Sequence, residues 1–591
     1  MTELENNNYF IKNTLKKYLT PTIISILGTT MITFVNSLLT GNLYGKEALA
    51  AMNIINPITF VFAMLGCLIS IGGSTSASIA MGKEEDAQVS AYATLSLLLS
   101  LVIPIVFSTV GIFFFPQILE LLGASGNLYI LCEDYGRIIL VGGVCTTFMY
   151  YPFNFLRVDG RARYSMPIFS MMGVLDFVLV LLFYQAGFGI TGVAFAVVIS
   201  TVIADIVGAG ILFLGKGKQL TLCIPHHAIR DSIVIIRAGA AAALNNLCNM
   251  LRTIVLNALI LRTLGEDGAS VFAVASAVLN FATAFVAGVG QAVAPLVGVF
   301  YGERDDTSIR MLMRSSVRYA LILMSSLFGV SLVGCVPLAY AFGMRSWTMV
   351  GQTAIAICWM MLSLIPAAVV NCMIFYYMTI NYHSLASILT FLRSFGFVSL
   401  LAWLFTRIHM EQWMLASFVC GEVATLLTCL LLTVVIRKLH PQLKGVLLLE
   451  YEASEGQYIS FSVPGSAEGA VGASAKISEF CEQQELDMRY SMMLPLALEE
   501  MLVLVNEHCF EQDESMYADV RIMLSKEEVL LRIRCGGKLF DPIADYRKRT
   551  AGMSEEDLLM DESLGIRMIT EAAKSVTFRR TLGVNNLVVI L

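Results

Sequence analysis

Hydrophobic positions follow two different patterns along the chain. From residue 21 to about 440, long apolar runs such as 54–80 and 174–184 are separated by short charged connections. A membrane-spanning helix needs about 20 apolar residues, and the runs predict twelve such helices. From residue 446 onward, short alternating runs such as Val529–Arg534 are typical of strands. The pattern predicts an all-α polytopic membrane body followed by a cytoplasmic α/β sandwich domain.

The composition agrees with a membrane protein and excludes some other classes. Hydrophobic residues make up 57% of the chain and charged residues 14%, with a mean hydropathy of +0.73. The net charge is −6 and there is no long basic run, so we expect no nucleic-acid partner. The 13 cysteines are scattered without a Cys-x-x-Cys pair. We therefore interpret them as reduced, buried side chains and expect no metal site.

Lysine and arginine are distributed unevenly between the two sets of connections. One set carries sixteen of them, including Arg157, Arg161 and Arg163, and the other set carries four. Positive residues concentrate on the cytoplasmic side of membrane proteins. The sequence therefore predicts a multi-pass protein of the plasma membrane with both termini in the cytoplasm.

The membrane part repeats itself with an offset of 220 residues. Gly45-Lys-Glu-Ala corresponds to Gly265-Glu-Asp-Gly, and Gly82-Lys-Glu-Glu-Asp corresponds to Gly302-Glu-Arg-Asp-Asp. After an N-terminal segment of residues 1–20, the repeat predicts two six-helix lobes, 21–214 and 215–440. Transporters built from such repeats hold their substrate between the lobes and alternate its access.

Short motifs in this part resemble the multidrug and toxin extrusion (MATE) transporters. They are Pro21–Ser25, Gly41, Gly45–Ala51, Asn53–Pro57, Arg157–Gly160, Leu175-Asp176, Gly189–Ala194, Gln291–Gly298 and Tyr301-Gly302. Their order and spacing cover about 430 residues. The resemblance implies two lobes around a central cleft. It also implies export of cationic or amphiphilic small molecules in exchange for protons or sodium.

Few acidic residues lie within the predicted spans, and an intramembrane acid is a candidate functional group. The candidates are Asp176, Asp205, Glu422 and the adjacent pair Glu133–Asp134. Asp176 is preferred because its Leu-Asp context resembles the fifth-helix acid of the family.

Other positions of that ion site depart from the family. Asn36 stands where the first helix usually has an acid, and an amide cannot take up a proton. Met172 and Val197 replace two further polar groups. One charge remains, which is poor for sodium but sufficient for a proton, so we expect proton coupling through Asp176. Asn36, Asp205 and Glu422 are further candidate residues of the ion and substrate cleft.

The C-terminal domain, 446–591, resembles the Bergerat-fold (GHKL) ATPases, and most closely the anti-sigma-factor serine kinases. Glu500 stands in the place of the family's catalytic Glu, and Gly537, Asp541 and Gly565 are kept. The remaining chemical positions are changed. Leu504 replaces the magnesium-binding Asn, Cys535 the adenine-binding Asp and Ser563 the lid glycine. We therefore expect a degenerate nucleotide site without catalytic residues, and we expect no ATP or other cofactor. The sequence also predicts a strand at 458–464 and then a Gly/Ala/Ser linker, 465–475, that leads into a helix.

Several functions fit these features. We favour a MATE-like exporter, not an enzyme, that is modulated by its C-terminal domain. The main alternative is a membrane ligand sensor, or pseudo-transporter, that signals to a cytoplasmic regulatory protein. Leu504 and Cys535 argue against an active serine kinase, and a flippase of lipid-linked sugars would need more basic residues in its cleft. We expect the aromatic clusters 150–154 and 375–377 to lie in the membrane–water interface.

Overall fold

The computed structural model divides the chain into two compact units. The larger one, called here the membrane unit, is Leu15–Pro441 with Gly445–Leu448. The smaller one, the C-terminal unit, is Leu449–Leu591 with Gln442–Lys444 and N-terminal residues up to Thr14. The residues that the structure describes are 8–122, 127–214, 220–225, 227–303, 305–342, 344, 346–450, 458–511, 513, 516–524, 528–551 and 564–591.

The membrane unit is helical throughout its long apolar runs. Its helices are α1 (Asn8–Leu43), α2 (Gly45–Gly82), α3 (Asp86–Phe113), α4 (Phe115–Leu121), α5 (Asn127–Phe148), α6 (Tyr150–Val158), α7 (Ser165–Gln185), α8 (Ile190–Leu214), α9 (Ala228–Gly302), α10 (Asp306–Ala341), α11 (Trp347–Thr379), α12 (His383–Phe391), α13 (Phe397–Arg407) and α14 (Ser417–Leu439). Short 3₁₀ turns cover Ala162–Tyr164 and Glu411–Ala416, and a π turn, Leu392–Gly396, joins α12 to α13.

Eleven stretches of helix in the described part of the chain are long and apolar enough to cross a membrane. The first expected span, 21–43, lies within α1, so the number twelve stays a prediction. Helix α9 contains two of the spans, which meet at Gly265. The backbone of Gly265 has a φ of 66°, a left-handed conformation that glycine adopts without strain. The break therefore falls at the position that the 220-residue repeat pairs with Gly45, where α2 begins.

Residues separated by 220 positions also contact each other where α2 and α9 end. A Cβ atom built on Gly82 would lie 2.1 Å from the carbonyl oxygen of Val299 and 2.9 Å from the Cα of Gly302. A Cβ atom on Gly302 would lie 2.3 Å from the oxygen of Ile79. The backbones touch at equivalent points of the repeat, as expected around a pseudo-two-fold axis, and only glycine permits this approach.

The C-terminal unit contains a five-stranded antiparallel sheet. Its strands are β3 (Tyr458–Pro464), β4 (Tyr517–Leu524), β5 (Val529–Cys535), β6 (Ser575–Thr581) and β7 (Val584–Ile590), in the order β3-β4-β5-β7-β6. A small ladder of β1 (Leu443–Lys444) and β2 (Leu449–Glu450) precedes them. In the sheet Phe461 is opposite Val520, Val520 is opposite Ile533, and Ile533 is opposite Leu587. These residues, paired across neighbouring strands, are buried and lie on one apolar face of the sheet.

Helices of the C-terminal unit share the core with that face. They are α15 (Ala467–Gln483), α16 (Met488–His508), α17 (Pro542–Thr550) and α18 (Leu564–Ala572). Ile477, Leu498, Met501 and Ile569 are buried in the same cluster as the strand residues. The expected linker 465–475 is wrong, because α15 begins at Ala467. The Ser466 hydroxyl accepts a hydrogen bond from the backbone of Gly469 (3.1 Å), and this N-cap starts the helix early.

Candidate functional site

Asp176 lies in a small polar cluster inside the first half of the membrane unit. Its side chain is on α7 and is 1% exposed. The Ser200 hydroxyl on α8 donates a hydrogen bond to the Asp176 carboxylate at 3.5 Å, and the Asn36 side chain on α1 is a second hydrogen-bond partner. Three helices therefore bring together the two residues that the sequence predicts, Asn36 and Asp176.

Ser200 is a member of this cluster that the sequence analysis does not single out. It lies three residues after Val197, on the helix where the family's polar group is replaced. Positions three or four apart lie on the same face of a helix. A serine at this spacing from Val197, within an apolar run, is therefore the sequence signal that could have identified Ser200. In the described part of the chain the Asn36 Oδ1 and the Thr40 hydroxyl have no hydrogen-bond partner. The cluster thus retains capacity to bind a small polar group.

Asp205 lies in a different environment from Asp176. It is 6% exposed and lines a small, mostly apolar pocket with Met149, Phe153 and Ile168. Among the described residues its Oδ1 has no hydrogen-bond partner. Burying an unpartnered ionised carboxylate is costly, so the environment favours the neutral acid.

Glu422 is paired rather than free. The Arg393 Nε donates to both carboxylate oxygens of Glu422, at 2.9 and 3.1 Å. Arg393 lies in the π turn and also donates from Nη1 to the Asn371 Oδ1 (3.0 Å), while the Asn371 amide donates to the carbonyl of Val286 (2.9 Å). This network connects α9, α11 and α14, and it engages both carboxylate oxygens of Glu422 with Arg393. Elsewhere, Glu133 pairs with Arg137 and Asp134 is exposed on α5.

Two arginines that the sequence assigns to a charged connection are buried in the structure. Arg157 is on α6 and is 1% exposed. Arg161 is 8% exposed and donates to the carbonyls of Ile211 and Leu212 (2.6 and 2.8 Å), where it caps the end of α8. The count of basic residues used for orientation therefore includes side chains with internal roles.

The predicted interfacial aromatic clusters are buried as well. Tyr376 and Tyr377 are fully buried, and their hydroxyls donate to the carbonyls of Leu447 and Val446, each at 2.7 Å. Tyr151 is fully buried and donates to the carbonyl of Ala93 (3.1 Å). These three side chains are therefore held by contacts within the protein, and their position relative to the membrane–water interface stays a prediction. The pair on α11 fixes the segment 445–448 to the membrane unit.

In the C-terminal unit, Glu500 forms a hydrogen bond at the start of a helix. Its Oε2 accepts a hydrogen bond from the backbone nitrogen of Ile566 at 2.9 Å, in the first turn of α18. A carboxylate is favourable at a helix N-terminus because it meets unpaired N–H groups. Gly565 is the second residue of the same helix, whereas Ser563 lies outside the described residues. Leu504, at the place of the family's Asn, packs against the apolar core.

The other kept positions also have local structural roles. Gly537 has a φ of 95°, and a Cβ atom there would lie 2.1 Å from the carbonyl oxygen of Cys509. Asp541 caps α17 by accepting from the nitrogens of Ile543 and Ala544 (3.0 and 3.1 Å). Each of these contacts explains the residue without a nucleotide.

Cys535 lies beside a second buried thiol. The Asn585 amide donates to the sulfurs of Cys509 (3.5 Å) and Cys535 (3.8 Å). The hydrogen bond from Cys535 lowers the pKa of the Cys509 thiol, because the donated proton stabilises the thiolate. The same pairing and burial raise the pKa of Cys535. This position therefore offers a thiol donor where the family has a charged acceptor.

Three comparisons with known proteins bear on the membrane unit. The MatE family model matches residues 21–182. The multidrug export protein MepA of Staphylococcus saprophyticus is 23% identical over 337 residues, which are 55% of this chain and 72% of that protein.

Solved structures extend the similarity to the whole membrane unit. An outward-facing multidrug resistance MATE transporter of the MOP superfamily has a TM-score of 0.67 at 20% identity, covering 74% of this chain and 99% of that one. A MOP superfamily transporter from Pyrococcus furiosus has a TM-score of 0.66 at 20% identity, covering 71% and 94%. The membrane unit therefore has the fold of MATE transporters.

Taken together, the helices, the matched family model and the relatives agree with a multi-pass membrane protein that is similar to MATE transporters. MATE transporters are not enzymes, which agrees with the expectation from the sequence. The family model ends at residue 182, within the membrane unit.

Proposed function

We propose that the chain is a secondary transporter that exports amphiphilic small molecules, cationic ones included, by proton antiport. The observation that carries the proposal is the Asp176 carboxylate, 1% exposed and bonded by Ser200 and Asn36. A buried carboxyl with few partners can take up a proton in one state and release it in another. Sodium needs several oxygen ligands, and an amide and a hydroxyl beside a single carboxylate form a weak cage for it.

Alternating access would use the two lobes, 21–214 and 215–440. The backbone contact between Gly82 and Gly302 holds equivalent helix ends of both lobes together. Separation of the lobes at this contact would open the cleft on one side. With both termini in the cytoplasm, as the distribution of Lys and Arg predicts, this side would face the cytoplasm.

The C-terminal domain, 446–591, would act as a degenerate ATPase-like regulator in this scheme. In support, Glu500 is engaged with Ile566, Leu504 packs in the core and Cys535 contacts Cys509. The positions that would bind a nucleotide in the family thus serve packing and helix capping here. A cytoplasmic protein is the partner expected for such a domain, and MgATP is expected to leave its thermal stability unchanged.

Proton-driven efflux of ethidium from everted membrane vesicles tests the coupling residue. Asp176→Asn keeps the size of the side chain and removes its titration, so efflux should be lost. Glu133→Gln is the matched control, because Glu133 is partly exposed and forms a salt bridge with Arg137. Asp205→Asn tests the second buried acid, and we expect it to retain efflux. Efflux that survives in Asp176→Asn and fails in Asp205→Asn would move the coupling role to Asp205.

A shortened chain tests the regulatory role. It should end after Leu448, because Val446 and Leu447 are held by the two buried tyrosines and belong to the membrane unit. A regulatory role would be supported if the shortened chain had a changed efflux rate and if Asp176→Asn still abolished efflux in the shortened chain. An unchanged rate over a range of pH and substrate concentration would contradict it.

A further inference from the structure

The most unusual buried group in the membrane unit is the guanidinium of Arg157. Its Nη1 donates to neutral oxygens only: the Gln291 Oε1 (3.2 Å), the Gln291 carbonyl (3.4 Å) and the Asn154 Oδ1 (3.5 Å). Its Cζ lies 3.8 Å from the centre of the Phe153 ring. In the described part of the chain, Nε and Nη2 have no hydrogen-bond partner. A permanent positive charge is therefore buried at 1% exposure, and no carboxylate among the described residues forms a salt bridge with it.

This charge lines a pocket between the two lobes. The pocket is small. Its polar wall is formed by Ser74, Thr75, Asn154, Arg157 and Gln291. Its apolar wall is formed by Ile71, Ala294, Pro295 and Phe375. One wall thus offers hydrogen-bond donors and a cation, and the other offers hydrocarbon and an aromatic ring.

The two lobes contribute jointly to the pocket. Helices α2 and α6 bring the serine, threonine, asparagine and arginine, and helices α9 and α11 bring Gln291, Pro295 and Phe375. A molecule bound here would contact both lobes and would be released when they separate. The pocket is therefore placed where a transported molecule has to pass in an alternating-access cycle.

We propose that this pocket binds the anionic group, a phosphate or a carboxylate, of an amphiphile, with Arg157 as the binding residue. Arginine presents a planar fork of donors that matches these oxyanions, and the free Nε and Nη2 form one side of that fork. The apolar wall would contact the hydrocarbon part of the same molecule. The inference rests on the proposed transport function and extends its substrates to amphiphiles that carry a negative group.

Isothermal titration of the purified full chain in a neutral detergent tests the site. Octyl phosphate is the probe, octyl glucoside is the uncharged control with the same chain, and inorganic phosphate is the anion without a chain. Octyl phosphate should bind saturably and octyl glucoside should not compete with it. Inorganic phosphate binding as tightly as octyl phosphate would identify a free anion as the occupant, and weaker binding would identify the amphiphile.

Variants separate binding by Arg157 from an effect on folding. Arg157→Gln should weaken octyl phosphate binding by roughly tenfold or more, and Arg157→Lys should retain part of it because the charge remains. Gln291→Glu would place a carboxylate beside Nη1, so it should abolish binding while raising the melting temperature. Arg407→Gln is the control, since Arg407 is exposed and lies over the Trp403 ring.

Equal binding of octyl phosphate to the wild type and to Gln291→Glu would overturn the proposal, as would binding no tighter than that of octyl glucoside. Because titration needs no transport, the result is independent of ethidium efflux. Failure of the Asp176→Asn test would leave the anion site standing, and failure of the titration would leave proton-coupled export standing.

Discussion

The contact between Gly82 and Gly302 makes a sharp prediction about the equilibrium between two arrangements of the lobes. In the structure, a Cβ atom on Gly82 would lie 2.1 Å from the Val299 oxygen and 2.9 Å from the Gly302 Cα. Both obstructing atoms belong to the backbone, so no side chain can rotate away. Gly82→Ala must therefore move the end of α2 away from the end of α9.

The size of the effect follows from the cost of over-packing. An extra methyl group in a packed contact costs about 1–3 kcal/mol. Every 1.4 kcal/mol or so corresponds to a factor of ten in an equilibrium constant. The population of the closed arrangement, relative to the arrangement in which the two helix ends are apart, should thus fall by roughly 5- to 150-fold. Gly302→Ala should act in the same direction, because its Cβ would meet the Ile79 oxygen at 2.3 Å.

Hydrogen exchange followed by mass spectrometry measures this shift in the purified protein. Peptides that contain the last turns of α2 and α9 should exchange faster in Gly82→Ala than in the wild type. Gly210→Ala is the matched control, because Gly210 is also in a helix and a Cβ there would meet nothing within 4 Å. The control should exchange as the wild type does and gain up to about 1 kcal/mol of helix stability.

Equal exchange at the ends of α2 and α9 in Gly82→Ala and Gly210→Ala would refute this reasoning. That result would mean that the two backbones do not touch in the dominant state of the protein. Faster exchange over the whole membrane unit would instead indicate general destabilisation, and it would also contradict a local opening between the lobes.

The remaining predictions concern stability. Glu422→Gln should lower the free energy of unfolding by about 3–5 kcal/mol, because it leaves the buried Arg393 without its carboxylate. Thermal unfolding measures this loss. If the double variant Glu422→Gln/Arg393→Met lost as much stability as Glu422→Gln alone, the explanation would be contradicted. Asp541→Ala should cost the C-terminal unit about 1 kcal/mol through loss of the α17 cap, measured by urea unfolding, with no change in efflux. Tyr376→Phe and Tyr377→Phe should each cost about 1 kcal/mol and speed proteolysis at 445–450; unchanged cleavage would show that their hydroxyls do not hold this segment.

The C-terminal domain shows how far local sequence signals reach. The sequence predicts strands at 458–464 and 529–534, and the structure has strands at these positions. The linker 465–475 fails as a prediction because glycine and alanine suggest flexibility, whereas the Ser466 cap and packing of the helix on the sheet stabilise α15. Local composition therefore identifies strands more reliably than it identifies the start of a helix whose stability comes from tertiary contacts.

In the candidate site of the membrane unit, too, some features follow from the local sequence and others from tertiary contacts. Asp176 is an isolated acid in an apolar run, so the sequence alone singles it out. Its partner Ser200 comes from another helix, and many serines in such runs bond only to their own helix backbone. Glu422 also stands out as an acid, but its pairing with Arg393 requires the packing of α14 against the π turn. Sequence therefore finds the charged group, and packing decides whether it is paired.

The membrane body, the soluble domain and the 220-residue repeat all follow from the sequence, because apolar length, strand alternation and repeated motifs are properties of the chain itself. The role of Arg157 does not follow from it. In one dimension Arg157 belongs to a positive cluster with Arg161 and Arg163, as at a cytoplasmic connection. In three dimensions it is buried between α6 and α9, facing Gln291. The tertiary structure alone decides this, because the electrostatic environment of a charge depends on neighbours that are distant in sequence.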